Sequence, residues 1–233
     1  KGNPLPQAPP MRHRDIIRDY LSEKRPLTVG SIAGKESLSA PPEGCDAIEL
    51  RLDSLGVGAD IRQFAAKSPL PLLVTARGPA EGGQSPWSLE ERAAAYLAMI
   101  PHAALIDIEL RDFDLLVEVI MEARDADVIV VGSFHDFDQT PPIKELVGKI
   151  DSRADIHKFA LMAKSGRDIA KHLGLMEEFA ETPLSVMGMG PLGAAARPLM
   201  AKAGSLLNYG FLGTTPTAPN QWPAALLRQT LEI

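Results

Sequence analysis

The sequence has few of the residues and segments that mark several protein classes. Its 233 residues include one cysteine, Cys45, so an internal disulfide is impossible, and no cysteine and histidine cluster forms a zinc motif. Against 30 acidic residues stand 24 lysines and arginines, which gives a net charge of −6 and no basic surface for nucleic acid or anionic lipid. No apolar run is long enough for a membrane helix or a signal peptide. We therefore expect a small-molecule partner, no nucleic acid or membrane partner, and a reducing, cytoplasmic location.

The remaining composition is typical of one folded domain. Hydrophobic residues make up 45% of the chain and charged residues 23%, which suits a domain with a sizeable core. Residues 1–26 are rich in proline and charge, and we interpret them as an N-terminal extension in which 11–24 could form a short amphipathic helix. Residues 27–233 are predicted to form a single domain.

Short aliphatic runs alternate with longer helical patterns along that domain, as in βα units around a parallel sheet. Eight strands are predicted, at residues 27–33, 47–53, 70–75, 104–109, 128–134, 156–161, 184–187 and 206–209. Helices are predicted at residues 88–99, 112–123, 142–149, 166–179, 197–203 and 222–231. Eight units in roughly 210 residues predict an α/β fold, a single (β/α)₈ TIM barrel.

A doubly wound open sheet is the alternative architecture. Against it, no early strand leads into a Gly-x-Gly-x-x-Gly turn. The run Gly188-x-Gly190-x-x-Gly193 has that spacing but follows the seventh predicted strand, where it could contact an anion.

The second strand alternates charged and aliphatic side chains. Glu49, Arg51 and Asp53 share one face, so in a barrel they should point to the interior, where charges persist only if they are paired or used. A solvated antiparallel strand would show the same alternation. Polar residues with inward parity recur on the next strands, at Thr75, Arg77, Asp107, Glu109, Ser133 and His135.

Lys158 is the chemically informative residue of the sixth strand. Its neighbour Ala160 is small and leaves room on the inward face, which puts His157 among the helices. A buried lysine is either an imine-forming nucleophile or the partner of an interior acid. His135, at the end of the adjacent strand about 4.8 Å away, could transfer protons for it. We expect surface roles for the histidines in the tail, a turn and a helix: His13, His102 and His172.

Six motifs follow one another in the order of a known family: Glu49-x-Arg51-x-Asp53, Thr75-Ala76-Arg77 with Glu81-Gly82-Gly83, Ser133-Phe134-His135-Asp136-Phe137, Ala154-Asp155-Ile156-His157-Lys158, Met187-Gly188-Met189-Gly190 leading to Arg197, and Thr217-Ala218-Pro219-Asn220-Gln221. Over nearly the whole chain from residue 27, this pattern resembles type I 3-dehydroquinate dehydratase. The resemblance implies a TIM barrel that removes water from 3-dehydroquinate through a lysine Schiff base, in the shikimate pathway of aromatic amino acid biosynthesis. It also implies a homodimer, and we expect no cofactor and no metal.

The resemblance also implies a role for each matching residue. Lys158 would form the imine, His135 would move the protons, and Glu81 would orient His135. Arg197 would hold the substrate carboxylate, with Gln221 closing over it. The remaining substrate-binding positions are Glu49, Arg51, Arg77, Met187, Met189, Thr217 and Ala218.

Three positions depart from the family pattern, and two other functions stay open. Ala196 stands where serine is usual, Tyr209 where phenylalanine is frequent, and Asn220 where glycine is usual. A class I aldolase also uses a barrel lysine, usually on phosphorylated sugars. A non-catalytic relative could keep the barrel to bind a metabolite.

Overall fold

Eight parallel strands form the framework of the computed structural model, which describes residues 12–218 and 220–232. The strands are β1 (Leu27–Ile32), β2 (Ala47–Arg51), β3 (Leu72–Thr75), β4 (Leu105–Glu109), β5 (Ile129–Asp136), β6 (Ile156–Met162), β7 (Leu184–Met189) and β8 (Leu207–Phe211). Each of β1 to β7 pairs with its neighbour in sequence, and β8 pairs with β1. All eight predicted strands are present.

Serine side chains join β7 to β8, the two ends of this strand order. The Ser205 hydroxyl accepts a hydrogen bond from the main-chain nitrogen of Val186 at 3.1 Å and donates one to its carbonyl at 3.2 Å. The Ser185 hydroxyl accepts from the main-chain nitrogen of Leu207 at 2.8 Å. The barrel is thus nearly closed, which confirms the TIM barrel and rejects the open sheet.

The strands alternate with helices. The α-helices in the described residues are α1 (Arg12–Ser22), α2 (Leu52–Leu55), α3 (Ala59–Lys67), α4 (Leu89–Met99), α5 (Val117–Asp125), α6 (Ile143–Val147), α7 (Gly166–Glu178), α8 (Gly193–Lys202) and α9 (Ala224–Leu231). Short 3₁₀ segments lie at Lys35–Ser39, Pro79–Glu81, Ile100–His102 and Leu110–Asp112.

Four helices differ from the prediction. The short α2 was missed, and α5 begins at Val117 rather than at residue 112. The sequence pattern missed α3, in which only Ile61 and Ala65 are buried. The predicted start at residue 197 was wrong, because α8 begins at Gly193. These first residues pack closely on β7: a Cβ added at Gly188 would lie 2.6 Å from the Cβ of Ala196. An alanine at 196 suits that contact.

Helix α1 covers the amino-terminal end of the barrel. Ile17 is fully buried and packs in a cluster with residues of several strands, among them Leu105 and Leu207. The Arg14 side chain donates hydrogen bonds to main-chain carbonyls of Ala103 and Ala126. The predicted helix is therefore present within the described residues, while residues 1–11 of the predicted extension lie outside them. No helix of the described part is long and apolar enough to cross a membrane.

Candidate active site

A cavity of about 250 Å³ opens at the carboxyl ends of the strands. The predicted catalytic and substrate-binding residues all line it: Glu49, Arg51, Arg77, Glu81, His135, Lys158, Met187, Met189, Arg197, Thr217, Ala218 and Gln221. Carboxyl ends of barrel strands are where TIM-barrel enzymes place their active sites. We refer to this cavity as the pocket.

Lys158 enters the pocket from β6 and is held by two contacts. Its Nζ donates a hydrogen bond to Oδ2 of Asp107 at 2.8 Å. The same Nζ lies 4.1 Å from the centroid of the Tyr209 ring. The lysine is only 3% exposed, so these contacts fix the position of its amine in a region with little water.

Asp107 is the centre of the buried charge cluster. Its Oδ1 accepts hydrogen bonds from Nη2 of Arg77 at 2.8 Å and from the Ser133 hydroxyl at 2.6 Å. Burial opposes ionisation of Asp107, but the charges of Arg77 and Lys158 outweigh it and hold the pKa of this carboxyl far below its usual range. Asp107 is therefore ionised and can keep a cationic partner in place.

His135 and Glu81 form a hydrogen-bonded pair on the pocket wall. Nδ1 of His135 lies 2.8 Å from Oε2 of Glu81, which also accepts from the His135 main-chain nitrogen at 3.0 Å. Glu81 follows β3 in the 3₁₀ turn Pro79–Glu81, and the chain continues through Gly82 with a φ of 88°, a conformation that favours glycine. Because Glu81 engages Nδ1, Nε2 of His135 is left for a ligand.

The buried surroundings change the pKa values of both members of this pair. Burial raises the pKa of Glu81 to about 7. Burial, with the positive charges of Arg77 and Lys158, lowers the pKa of His135 well below 6.5. The imidazole is therefore neutral at pH 7, the state in which it can accept a proton.

Glu49 and Arg51 form the opposite wall. The Glu49 carboxylate accepts hydrogen bonds from the hydroxyls of Thr75, at 2.8 Å, and Ser31, at 2.5 Å. Arg51 donates two hydrogen bonds to Asp53, from Nε at 2.9 Å and from Nη2 at 2.7 Å. The polar walls of the pocket are thus held by paired groups.

The inward strand position predicted for Asp53 was wrong. β2 ends at Arg51, so Asp53 lies in α2, where strand alternation no longer applies. Its carboxylate is buried and accepts from the main-chain nitrogen of Gln84 at 3.0 Å.

Sequence reasoning did not single out Ser31 or Gln84 as pocket residues. Ser31 is a polar residue in a buried strand, and that signal could have found it.

Arg197 differs from the other charged residues of the pocket. It lies in α8, is 5% exposed, and donates from Nη1 to the main-chain oxygen of Tyr209 at 3.1 Å. Its Nε has no hydrogen-bond partner and no carboxylate pairs with it among residues 12–218 and 220–232. Burial lowers the pKa of Arg197 to about 10, so it is still a cation at neutral pH. A buried cation without a counter-charge suits a site for an anionic group.

Two histidines outside the pocket are more buried than predicted. The surface roles expected for His102 and His172 were wrong, because both are buried. Nε2 of His172 lies 2.9 Å from the hydroxyl of Thr140, which in turn donates to the main-chain oxygen of Met162. His157 is buried outside the barrel interior, with Nε2 3.0 Å from the main-chain nitrogen of Asp151.

Comparison with known proteins gives this geometry a family. A model of the family described as Type I 3-dehydroquinase matches residues 33–233. The chain belongs to the type I 3-dehydroquinase family. Its sequence is 30% identical to the 3-dehydroquinate dehydratase of Methanocella arvoryzae, over 89% of this chain and 96% of that protein. It is 33% identical to the Klebsiella pneumoniae 3-dehydroquinate dehydratase, over 82% of this chain and 83% of that protein.

Solved structures of 3-dehydroquinate dehydratases have the same fold. The enzyme from Geobacillus kaustophilus superposes with a TM-score of 0.79 at 26% identity, covering 89% of this chain and 90% of the other. The type I enzyme from Clostridium difficile, solved with covalently modified comenic acid, gives the same TM-score and identity over 92% of its chain.

Two departures from the dehydroquinase pattern lie at the pocket, one in the last loop beside it and one inside it. Asn220 adopts a φ of 55° and donates from Nδ2 to the main-chain oxygen of Gly190 at 3.1 Å, so an asparagine fills a position that favours glycine and also ties the last loop to the turn after β7. In the same loop, Oε1 of Gln221 accepts from the main-chain nitrogen and hydroxyl of Thr217, at 2.9 and 2.8 Å. The amide nitrogen of Gln221 is left for a ligand. The other departure, Tyr209, lies in β8 and lines the pocket.

The glycine run after β7 does not favour the aldolase alternative. A phosphate site would need main-chain N–H groups that point to the ligand. The amides of Leu192 and Gly193 instead donate to the carbonyls of Ala163 and Gly190, at 3.1 and 2.9 Å. These two donors are used within the fold.

Proposed function

We propose that this dehydroquinase-family chain is a 3-dehydroquinate dehydratase of the shikimate pathway, with Lys158 as the imine-forming nucleophile and His135 as the acid and base. The observation that carries the proposal is that a fixed lysine and a neutral histidine face one pocket from adjacent strands. β5 and β6 pair with Ser133 opposite Lys158 and His135 opposite Ala160. The two side chains therefore lie on the same face, one strand apart and two residues out of register.

The reaction starts at the amine of Lys158. The ammonium first gives one proton to His135, and the neutral amine attacks the C3 ketone of 3-dehydroquinate. The hydroxyl group of the adduct takes this proton back and leaves as water, which gives an iminium ion. Asp107, which binds the Lys158 ammonium at 2.8 Å, stays ionised and stabilises the positive charge of the iminium.

His135 then carries the proton in both directions. Its Nε2 removes a proton from C2, the C–H electrons form a C2–C3 double bond, and the electrons of the C=N double bond move to nitrogen, which gives an enamine. The enamine expels the C1 hydroxyl group as His135 protonates it, so one water leaves and a C1–C2 double bond forms. Hydrolysis of the imine releases 3-dehydroshikimate and restores Lys158.

The other pocket residues bind the substrate. Arg197 holds the carboxylate through its free guanidinium edge, and the amide nitrogen of Gln221 covers it from the last loop. Glu49 and Arg77 bind the ring hydroxyls, and Arg51 helps to hold this charged cluster. Met187 and Met189 form an apolar wall on β7, and Thr217 and Ala218 contribute to the mouth of the pocket.

Borohydride reduction tests the proposed function. With 3-dehydroquinate present, borohydride should inactivate the chain and leave a covalent adduct on the peptide that contains Lys158, found by mass spectrometry. Lys158→Ala should lose turnover and the adduct but still fold, because Asp107 keeps Arg77 and Ser133 as partners. His135→Ala should lower kcat by about 10²- to 10⁴-fold and still allow trapping.

Three outcomes would contradict the proposal. An adduct on another lysine would remove Lys158 from the chemistry. Loss of trapping in a folded His135→Ala variant would make that residue structural. Binding of 3-dehydroquinate without turnover or an adduct would identify a non-catalytic relative instead.

We also propose a cytoplasmic homodimer. The single, free Cys45 suits a reducing compartment. Exposed apolar side chains on and beside α4 and α5, at Leu97, Leu115 and Met121, offer a surface that a second copy could cover. Light scattering on the purified chain at micromolar concentration measures the mass, and a monomer would contradict the dimer.

A further inference from the structure

Tyr209 carries a buried hydroxyl group without a hydrogen-bond partner. The residue lies on β8, lines the pocket and is 4% exposed, and its Oη has no partner in the described part of the chain. Buried tyrosine hydroxyls normally form a hydrogen bond, because removal from water without a new partner is unfavourable. The buried Tyr96 follows this rule, since its hydroxyl donates to the main-chain oxygen of Asp107. The half-buried Tyr20 also has a partner, because its hydroxyl donates to Asp46.

The same residue contacts two groups that the proposed reaction uses. Its ring centroid lies 4.1 Å from Nζ of Lys158, and its main-chain oxygen accepts from Arg197 at 3.1 Å. A molecule that binds Lys158 at one end and Arg197 at the other therefore passes over Tyr209.

The chemistry of the hydroxyl defines what it can bind. Burial raises the pKa of Tyr209 well above 10, and the negative charges of Asp107 and Glu49 raise it further. The phenol therefore keeps its proton and acts as a hydrogen-bond donor, so it needs an oxygen acceptor. 3-Dehydroquinate offers hydroxyl and carboxylate oxygens.

We infer that Tyr209 is a substrate-binding residue whose hydroxyl donates a hydrogen bond to an oxygen of bound 3-dehydroquinate. The inference rests on the proposed function and adds a residue to it. Tyr209 thus has two separate parts: the ring supports the Lys158 amine, and the hydroxyl recognises the substrate.

Tyr209→Phe tests the inference, because it removes the hydroxyl and keeps the ring. We expect kcat/KM for 3-dehydroquinate to fall about 2- to 12-fold, the range for one neutral hydrogen bond. The melting temperature without ligand should not fall, since no hydrogen bond of the free protein is lost, and borohydride should still trap Lys158. Tyr20→Phe is the matched control: its hydroxyl donates to Asp46 at 2.8 Å, so it should lower the melting temperature and leave kcat/KM unchanged.

Product binding then identifies the acceptor. If Tyr209 binds the C1 hydroxyl group, which leaves in the reaction, Tyr209→Phe should weaken binding of the substrate and leave the Kd for 3-dehydroshikimate unchanged. If Tyr209 binds an oxygen that the product retains, the Kd for 3-dehydroshikimate should rise as well. An unchanged kcat/KM, or a fall accompanied by a lower melting temperature, overturns the inference alone. Absence of turnover in the unsubstituted chain overturns the proposed function and the inference with it.

Discussion

His135 and Glu81 together should determine how the rate of the reaction depends on pH. Because the groups share a 2.8 Å hydrogen bond, they take up protons as a unit. Burial raises the pKa of Glu81 to about 7 and lowers that of His135, so the first proton enters the pair near pH 7. We expect kcat/KM to fall as the pH drops through 7, since a proton on the pair removes the base.

Glu81→Gln tests this assignment. The variant cannot take up the first proton, so its acidic limb should move well below pH 6.5, toward the lowered pKa of His135. Its kcat should fall, because no anion stabilises the imidazolium that forms during the reaction. Profiles of kcat/KM from pH 5 to 9 should be measured for the unsubstituted chain and for Glu81→Gln. If the acidic limbs of the two profiles coincide, Glu81 and His135 do not share the proton.

Arg197 supplies a second prediction at the residue scale. Arg197→Lys keeps the charge but loses the planar fork, so KM should rise roughly 10- to 150-fold, the range of a charge-assisted hydrogen bond. Arg197→Met should bind still more weakly, yet its melting temperature should not fall, because a buried cation without a counter-charge is removed. Steady-state kinetics measure KM for both variants, and melting curves measure their stability. An unchanged KM in Arg197→Lys would exclude it from the site.

The inward orientation of Glu49, Lys158 and His135 could be predicted from the sequence, because the alternation of side chains along a strand depends only on neighbouring residues. The hydrogen-bond partners of the buried histidines could not be predicted from neighbouring residues. His172 bonds Thr140, which lies 32 residues away, so its burial follows from the packing of the whole fold. Asp53 was misplaced because nothing in the charge alternation marks the end of β2.

At the scale of elements, the β7–β8 contact is a weak point of the barrel. The hydroxyl of Ser205 forms hydrogen bonds with both the main-chain nitrogen and the main-chain oxygen of Val186. Ser205→Ala leaves these buried groups without partners and should lower the free energy of unfolding by about 1–3 kcal/mol. Urea denaturation measures the loss, with Ser22→Ala as an exposed control expected to change little. Equal stabilities of the two variants would contradict a structural role for Ser205.

The elements that were predicted well have strong local signals. Each strand is a run of buried residues, and α4 starts with a capping box at Ser88 and Glu91. The start of α8 has neither signal: it consists of a glycine and three alanines, without a side-chain cap, and the proline at 198 lies inside the helix. Its position is set by close packing on β7, which a single sequence does not display.

At the scale of the whole molecule, buried histidines make the free energy of unfolding depend on pH. Burial lowers the pKa of His172 to about 4, whereas an unfolded histidine takes up a proton near pH 6.5. Between these values the unfolded chain binds more protons, so stability should fall as the pH drops from 6.5 to 4, by about 3 kcal/mol from this residue. His172→Gln keeps a donor for Thr140 but does not titrate, so its unfolding free energy should change less over that range. Urea midpoints at several pH values test this, and parallel curves would refute it.

Helix α1 connects parts of the chain that are far apart in sequence. It contacts Ala103 and Ala126 through Arg14 and Asp127 through Arg18, and Ile17 packs against several strands. This docking surface exists only after those strands have assembled, and such long-range contacts form late. We therefore expect the first helix in the described sequence to be the last to dock during folding and the first to detach during unfolding, so that hydrogen exchange in α1 precedes exchange in the strands that it covers.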